Sequence, residues 1–460
     1  MAGGLIQLVA YGQANIYLNS NPQITMFKKV YKTHANFSME SISVALNRSD
    51  ANIYDATILR AKIDRNADLI SQMYFVFELP DILCDNLLRF RWIENLAEAM
   101  IDDIYITIGG NKIDRQNGEW IHIQNMLTYG HDKRDIYNKM IGNTIEFTNP
   151  EQYYFMQNYY GKVPLQHRIG NEYPISNDPS RPSIRGRTMY LPLTFWFNLD
   201  LASALPLVSL QYSDIELFIQ LKPIYHLYRL SYKRSGILNY YSPDISKSEQ
   251  LLGKFVTNAN KHYLISDTVL DIKAHLEINY IFLDQTERMF FAYKPIEYLI
   301  NQVSIIPMYS LTKNNVLELV LSNPVKEIIW VLKRNDLRIW NTWFDFTDKM
   351  RNIMKTMNIL FNGMERLSDK PWEYYSYVQP YQHHRGCNKD GIYVYSFSIT
   401  PDDLIQPTGS CNMSQINKIQ LAMNLNVPLN EYYKYDVNFY VTNYNILRIA
   451  NGLGGTVYTL

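Results

Sequence analysis

The densest group of side chains that could bind a metal or do catalysis is His383-His384-Arg385-Gly386-Cys387. Histidine and cysteine are common zinc ligands, but a zinc site needs about four ligands, and no second histidine and cysteine cluster supplies the rest. The patterns H-x-H and H-E-x-x-H are both absent, so a cupin-like metalloenzyme lacks its signature. We therefore predict a solvated loop at this position and no metal site.

Three pairs of carboxylates could in principle exchange protons with a substrate: Asp102 with Asp103, Asp345 with Asp348, and Asp402 with Asp403. Asp102 and Asp103 lie between a predicted helix and a predicted strand, where capping and hydration explain them. No motif brings together a nucleophile, a base and an orienting group. The sequence thus predicts no catalytic residue and no enzyme.

Glycine-rich phosphate sites are not indicated either. Gly452, Gly454 and Gly455 do not satisfy G-x-G-x-x-G and do not join a strand to a helix. A P-loop and the G-x-S-x-G motif are absent as well. We expect these glycines to permit a tight backbone turn at the base of a β-domain. We also expect no bound cofactor.

The cysteines and the possible modification sites favour a reducing compartment. Cys84, Cys387 and Cys411 are odd in number and widely spaced, which is typical of reduced thiols in a cytosolic protein. Glycosylation sequons begin at Asn36, Asn47 and Asn412, but cytosolic synthesis would leave them unmodified. Lys233-Arg234 is expected to be a solvated loop.

The charge balance excludes a protein that wraps nucleic acid. Lysine plus arginine and aspartate plus glutamate both count 44, so the net charge is zero, whereas phosphate-binding proteins are normally basic. Hydrophobic residues make up 47% and charged residues 19%, which indicates a folded chain. No apolar run approaches the roughly 18 residues of a membrane span. No direct nucleic-acid partner is expected.

Strands are the predicted elements that would position any site. Between Arg187 and Pro223, apolar residues recur at every second position in two runs, which predicts strand, loop, strand; the runs are Leu191, Leu193, Phe195, Phe197 and Ile215, Leu217, Ile219, Leu221. Aromatic residues make up 14% of the chain, which also favours strands over helices.

The amino-terminal half contains further clear patterns. Strands are predicted near residues 37–44 and 69–79, and the second is apolar on both faces, as in a central strand. A short helix over 91–100 has Glu94 and Glu98 on its polar face. Gly109-Gly110-Asn111 predicts a tight turn between antiparallel strands. Residues 129–186 lack periodicity and are expected to form a long excursion at one end of the sheets.

The length of 460 residues predicts more than one domain. We predict a neutral arm over 1–24, a first sandwich over 25–223, a linker over 224–266 and a second sandwich over 267–460. The second sandwich is expected to open with a strand near 270–282 and a short helix capped by Asp284. Its later strands are predicted at 316–321, 326–332, 391–399, 418–425 and 437–444.

Several segments, in order along the whole chain, resemble the major capsid proteins of nucleocytoplasmic large DNA viruses. The resemblance covers GGLIQLVAYG from Gly3 to Gly12, IGGNKIDRQNGEW from Ile108 to Trp120, LPLTFWF near the centre, NPVKEIIWV from Asn323 to Val331, and NYNILRIANGLGG from Asn443 to Gly455. The chain departs from the family at Gln13-Ala14-Asn15, where relatives often have Ala-Gln-Asp, and at Met26, where Phe is common.

The resemblance implies an all-β fold, a double jelly roll of two tandem eight-stranded antiparallel sandwiches with few short helices and long loops. It implies a structural protein that forms a homotrimer, a pseudo-hexagonal capsomer that tiles an icosahedral shell. The implied partners are neighbouring capsomers, minor capsid and penton proteins, and inner membrane-associated proteins. Assembly is expected in the host cytoplasm, followed by residence in the virion. Two alternatives stay open: a minor capsid paralogue, and a glycan-binding attachment sandwich suggested by the loop tyrosines.

Overall fold

The computed structural model describes residues 3–48, 54–84, 87–153, 173, 181–232, 239–256, 273–386, 389–403 and 405–458. Cys387 and Lys233-Arg234 therefore lie outside the described residues. Met1–Phe37 forms one structural unit and Ser38–Leu460 forms another. The first unit contains α1 (Gly3–Val9) and α2 (Asn15–Asn19), neither of which has a buried residue.

The strands before residue 284 are, in chain order, β1 (Phe37–Ala45), β2 (Asn47–Arg48), β3 (Thr57–Lys62), β4 (Leu69–Glu78), β5 (Leu88–Trp92), β6 (Ile101–Ile108), β7 (Asn111–Gln116), β8 (Thr188–Pro192), β9 (Leu205–Pro206), β10 (Ile215–Leu221), β11 (Tyr228–Tyr232) and β12 (Ala274–Leu283). The α-helices among them are α3 (Leu96–Met100), α4 (Gly118–Thr128), α5 (His131–Met140), α6 (Ile145–Thr148) and α7 (Trp196–Leu199).

These strands form a first antiparallel sandwich. One sheet has the order β1-β12-β4-β8, with β9 also paired to β4, and the other has the order β2-β3-β10-β6-β7. A separate ribbon pairs β11 with β5. β3 buries every second residue, as expected for a strand with one face on the core, whereas β4 is buried along most of its length.

After residue 284 the strands are β13 (Ile296–Leu311), β14 (Asn314–Leu319), β15 (Pro324–Arg334), β16 (Thr347–Asp348), β17 (Arg351–Asn352), β18 (Met354–Phe361), β19 (Met364–Pro371), β20 (Ile392–Ser396), β21 (Cys411–Asn412), β22 (Ile419–Leu425), β23 (Tyr435–Ala450) and β24 (Leu453–Thr456). The α-helices are α8 (Gln285–Tyr293), α9 (Leu337–Trp340) and α10 (Gln379–His383).

A second antiparallel sandwich results. One sheet has the order β13-β23-β15-β20, with β21 beside β15 and β24 beside β23, and the other has the order β14-β22-β18-β19. All five later strands predicted from the sequence are present, at slightly shifted bounds. The expectation of two tandem all-β sandwiches is confirmed.

Other local predictions are confirmed too. β4 is a central strand between β12 and β8. β6 and β7 form a hairpin whose turn residues Gly109 and Gly110 have φ values of 58° and 82°, which glycine adopts without the steric penalty of a side chain. The Asp284 carboxylate accepts a hydrogen bond of 2.9 Å from the Glu287 backbone N–H and caps α8.

The strand near 270–282 was expected to open the second sandwich, and this placement is wrong. β12 pairs with β4, with Leu276 opposite Phe75, so it completes the first sandwich. The segment predicted as a linker over 224–266 also contains β11, which pairs with β5. Periodicity identifies a strand but not the sheet that it joins, because strands of both sandwiches bury the same kinds of residue.

Two stretches are more helical than predicted. The alternation from Leu191 to Phe197 ends as a strand at Pro192, and α7 begins at Trp196, although Phe195 and Phe197 are buried. Within the supposed irregular excursion, α5 and α6 are helices. The sequence pattern missed α5 because Tyr137 is its one fully buried residue, so the helix has almost no apolar stripe.

Candidate functional site

The central structural site of this chain is the junction between its two sandwiches. β15 is buried at eight consecutive positions, from Val325 to Leu332. Ile328 and Trp330 belong to the core of the second sandwich, whereas Ile329 and Val331 belong to the apolar cluster that contains the first sandwich. Because adjacent strand residues point to opposite faces, one sheet serves both cores. This explains why the sequence of β15 does not alternate.

A carboxylate that exposes only 12% of its side chain connects the two sandwiches. Glu119, in the first turn of α4, receives the Lys333 ammonium from β15 at 2.6 Å. From β23, Asn438 and Tyr440 donate to the other carboxylate oxygen at 2.7 and 2.9 Å. Desolvation alone would raise the pKa of Glu119, but Lys333 and these hydrogen bonds hold that pKa below its usual value. Glu119 is therefore ionised, and both of its carboxylate oxygens accept hydrogen bonds.

A second buried carboxylate orients the neighbouring surface of α4. Glu98 accepts from His122 Nδ1 at 2.7 Å and from the Tyr137 hydroxyl at 2.5 Å. The His122 ring stacks on Phe344 of the second half, with ring centroids 4.3 Å apart. Burial and the Glu98 charge raise the pKa of Tyr137 well above its usual value, so its hydroxyl stays a donor. The sequence had placed Glu98 on a polar helix face, but the residue is fully buried.

The histidine of the predicted solvated loop is in fact buried. His384 exposes 2% of its side chain and lies between Glu327, at 3.1 Å from Nε2, and Asp402, at 2.9 Å from Nδ1. Desolvation lowers its pKa, but the two carboxylates outweigh burial and raise it to about 9. His384 is therefore an imidazolium that lies between two buried carboxylates, and the prediction of a solvated position was wrong.

The segment around His384 also contacts the first sandwich. The Gly386 N–H donates to the Leu127 carbonyl of α4 at 2.6 Å, and a Cβ added at Gly386 would lie 2.4 Å from that oxygen. Glycine is required here because two backbones approach closely. Over the described residues, no group of three or more His, Cys, Asp or Glu side chains is arranged to hold a metal ion.

The remaining predicted carboxylates do not come together as catalytic pairs. Asp103 binds the Arg115 guanidinium at 2.8 Å, and Asp345 accepts from the Thr347 hydroxyl at 2.8 Å. The fully buried Asp348 accepts from the Tyr433 and Tyr435 hydroxyls at 2.6 and 2.7 Å. Each of these carboxylates is a structural hydrogen-bond acceptor.

The carboxyl-terminal glycines form a tight turn, as predicted. Gly452 has a φ of 81° in the turn between β23 and β24. A Cβ at Gly452 would lie 2.3 Å from the Tyr212 ring, and one at Gly454 would lie 2.6 Å from Leu210. The hairpin therefore sits against a loop of the first sandwich and extends the junction.

A cavity of about 560 Å³ lies along the same junction. Trp120 and Gln124 of α4 line one side, and Lys326, Glu327 and His384 line the other. The charged groups have partners within the protein, since Lys326 donates to the Pro401 carbonyl at 2.9 Å and His384 forms an ion pair with Glu327. Within the described residues, no helix is long and apolar enough to cross a bilayer.

Sequence reasoning missed Glu119 and Glu98, which hold the junction together. The available signal was a carboxylate inside an apolar stretch, as in GEWIHI around Glu119 and LAEAM around Glu98. A charge in such a stretch is costly unless it is paired, so it points to a buried partner. The identity of that partner, Lys333 or His122, depends on the fold.

Comparison with known proteins agrees with this architecture. Residues 25–284 match the family model for the major capsid protein N-terminus, and residues 287–455 match the model for the large eukaryotic DNA virus major capsid protein. The major capsid protein of Phaeocystis pouchetii virus is 29% identical, and that of Pyramimonas orientalis virus is 30% identical, each over 100% of both chains.

Solved structures share the fold. A chain of the PBCV-1 virus capsid quasi-atomic model has a TM-score of 0.68 at 23% identity, covering 95% of this chain and 100% of that chain. The Faustovirus major capsid protein has a TM-score of 0.67 at 13% identity, covering 96% and 94%. The two tandem antiparallel sandwiches and these structural neighbours define a double jelly-roll fold.

The chain belongs to the major capsid protein family of the large eukaryotic DNA viruses. That family is a family of structural proteins, and its place is the capsid of the virion.

Proposed function

We propose that three copies of this chain assemble into a pseudo-hexagonal capsomer, which tiles the icosahedral shell of a large double-stranded DNA virus. The observation that carries the proposal is the junction, because the buried sheet and the Glu119–Lys333 contact join two similar sandwiches into one block. Three such blocks about a threefold axis present six pillars, and closed rotational symmetry is the usual form of homo-oligomers.

The contacts of this capsomer would be of two kinds. Contacts between the three chains would bury apolar edges and loop aromatics, whereas contacts between capsomers would be more polar and would let the lattice anneal. Exposed apolar side chains of the second sandwich, such as Tyr381 and Tyr432 at 89% and 92% exposure, are available for such contacts. Minor capsid, penton and inner membrane-associated proteins are proposed partners of the completed shell, with assembly in the host cytoplasm.

Light scattering of the purified protein tests the trimer. We expect a mass about three times the chain mass of 54.0 kDa, unchanged on dilution over a broad range. A mass equal to one chain at all concentrations would overturn the proposal.

A second candidate is a minor capsid paralogue that is present in few copies. Two proteins of Acanthamoeba polyphaga mimivirus, probable capsid protein 4 and capsid protein 1, are 30% and 31% identical over 100% and 72% of this chain, so one virus can have several such proteins. Quantitative mass spectrometry of purified virions separates the two candidates, since the shell subunit should be the most abundant capsid protein. A copy number far below that of another double jelly-roll protein would favour the paralogue.

A further inference from the structure

Two arginines face each other in the ribbon formed by β5 and β11. Arg91 and Arg229 are direct cross-strand partners in this antiparallel pair, so their side chains project from the same face. Like charges that lie directly opposite each other destabilise a sheet unless something compensates them. Both residues are only partly exposed, which limits the compensation that bulk water can provide.

The described neighbours compensate the charges of these two guanidinium groups only in part. Arg91 lies over the Tyr240 ring, 3.8 Å from its centroid, and neither arginine has an ion pair with any described carboxylate. Glu151 is occupied, since it accepts from the Tyr240 hydroxyl and pairs with Arg89 at 3.5 Å. Glu94 lines the same cavity as the arginines, but it is exposed to solvent and has no ion pair with either of them.

The arginines line a cavity of about 220 Å³ between the ribbon and the segment around Trp343 of the second half. Trp92 also contributes to the lining, but its ring packs against Phe90 and Tyr228, on the opposite face of the ribbon from Arg91. The Arg229 Nε–H is buried without a hydrogen-bond partner. An unpaired buried donor is unusual in a folded protein, and this one belongs to an arginine without an ion pair.

The opposite wall of the cavity is fixed in place. Asn341 donates to the Tyr228 carbonyl at 3.0 Å, and the Trp343 indole N–H donates to the His226 carbonyl at 3.0 Å. The one carboxylate on this wall, Asp345, accepts from the Thr347 N–H and hydroxyl. A water molecule occupies about 30 Å³ in the liquid, so the cavity volume exceeds that of several waters. The cavity therefore has room for a tetrahedral oxyanion with a small substituent.

We propose that this cavity binds a small phosphate-type oxyanion between Arg91 and Arg229. Guanidinium groups match the geometry of phosphate oxygens and form charge-assisted hydrogen bonds with them. Burial, and then the Arg91 charge, lower the pKa of Arg229 to about 10, and the Glu94 charge offsets this only in part. The site lies where the two halves of the chain meet, so the bound anion would tie the first sandwich to the second.

Binding of inorganic phosphate to the intact protein tests the site. At constant pH and ionic strength, phosphate should raise the unfolding temperature relative to chloride, and calorimetry should show one site per chain. Glycerol 3-phosphate tests binding of a phosphate monoester. If it binds more tightly than inorganic phosphate, the rest of the cavity holds its glycerol group. Absence of saturable binding by both compounds would overturn the proposal.

Variants locate the binding. Arg229→Gln and Arg91→Gln should each weaken phosphate binding by about tenfold or more, the loss expected for a charge-assisted hydrogen bond. In the control Arg60→Gln, the altered arginine pairs with Glu216 on the exposed face of the β2-β3-β10-β6-β7 sheet, away from the cavity. This variant should bind phosphate like the wild type. Equal binding by Arg229→Gln and the wild type would contradict the proposal.

Two further measurements keep the test decisive if a variant folds poorly. In chloride, Arg229→Gln should unfold no earlier than the wild type, since it removes one of two opposed charges; marked destabilisation would indicate a structural partner and count against the site. Crystals of the wild-type protein soaked with tungstate, an electron-dense oxyanion, should show tungstate electron density between Arg91 and Arg229. Tungstate density confined to other positions would refute the assignment.

Discussion

Single residues at the junction show how buried charges hold two sandwiches together. Glu119 exposes 12% of its side chain and Lys333 exposes 26%, so water screens their contact only in part. Removing one member of such a pair leaves the other charge uncompensated, which costs more than the pair itself contributes. The energetic importance of Glu119 therefore lies in the penalty for breaking its contacts.

Replacement of Glu119 by alanine should destabilise the protein by about 3 kcal/mol, because Lys333 and two hydrogen-bond donors would lose their acceptor. Chemical denaturation of the purified variant measures the loss. Glu297→Ala is the matched control, since its pair with Arg448 is about 60% exposed on both sides, and it should have little effect. Equal effects of both substitutions would contradict the role of Glu119.

The His384 imidazolium makes part of the stability depend on pH. Its folded pKa is about 9, above the ordinary value of 6.5, so its contribution is complete below pH 6.5 and is lost as pH rises through about 9. The difference in unfolding temperature between the wild type and His384→Gln should therefore be largest near pH 6 and shrink towards pH 9.5.

Comparing the two proteins at each pH cancels the contribution of Lys222, whose pKa burial lowers to about 8 and which has the opposite pH dependence. His383→Gln is the control variant, since His383 is a neighbouring histidine hydrogen-bonded to the Ile399 carbonyl. A wild-type minus His384→Gln difference that does not change with pH would show that His384 is neutral in the folded protein.

At the scale of elements, close backbone approach joins the His384 segment to α4. Gly386→Ala should cost about 1–3 kcal/mol, the usual penalty for overpacking, because the added methyl would meet the backbone carbonyls of Met126 and Leu127 at 2.4 Å. Gly455→Ala is the control, since nothing lies within 4 Å of its added Cβ. Thermal unfolding measures both, and an unaffected Gly386→Ala protein would contradict this close contact.

The amino-terminal arm is the second element with a testable role. Residues 1–24 carry no charged side chain, and apolar residues such as Leu8 and Tyr17 are 78% and 92% exposed. We predict that this arm locks neighbouring capsomers or binds inner minor proteins. Deletion of residues 1–23 should leave trimers intact in light scattering but impair shell assembly seen by electron microscopy. Monomers after deletion would show that the arm builds the trimer itself.

The sequence predicts elements better than it predicts their neighbours. Alternation located β10 and β22, because local side-chain periodicity reports burial directly. It could not assign β12 to the first sandwich, nor reveal that both faces of β15 are buried, since both facts depend on contacts between distant segments. His384 was misplaced for the same reason, because its two partners lie 57 and 18 residues away along the chain.

At the scale of the whole molecule, residues 38–460 form one unit that contains both sandwiches. The shared sheet, the Glu119 contacts and the carboxyl-terminal hairpin all act at the same junction. A block with two similar halves can occupy two of six positions around a threefold axis, which a single sandwich cannot do. The proposed shell-building role therefore depends on the pairing of the sandwiches.

Electron microscopy of the purified full-length protein tests this central claim most directly. Class averages viewed down the symmetry axis should show a threefold particle with a hexagonal outline and six pillars of similar size. Particles that contain two pillars, or that have twofold symmetry, would contradict the proposed capsomer.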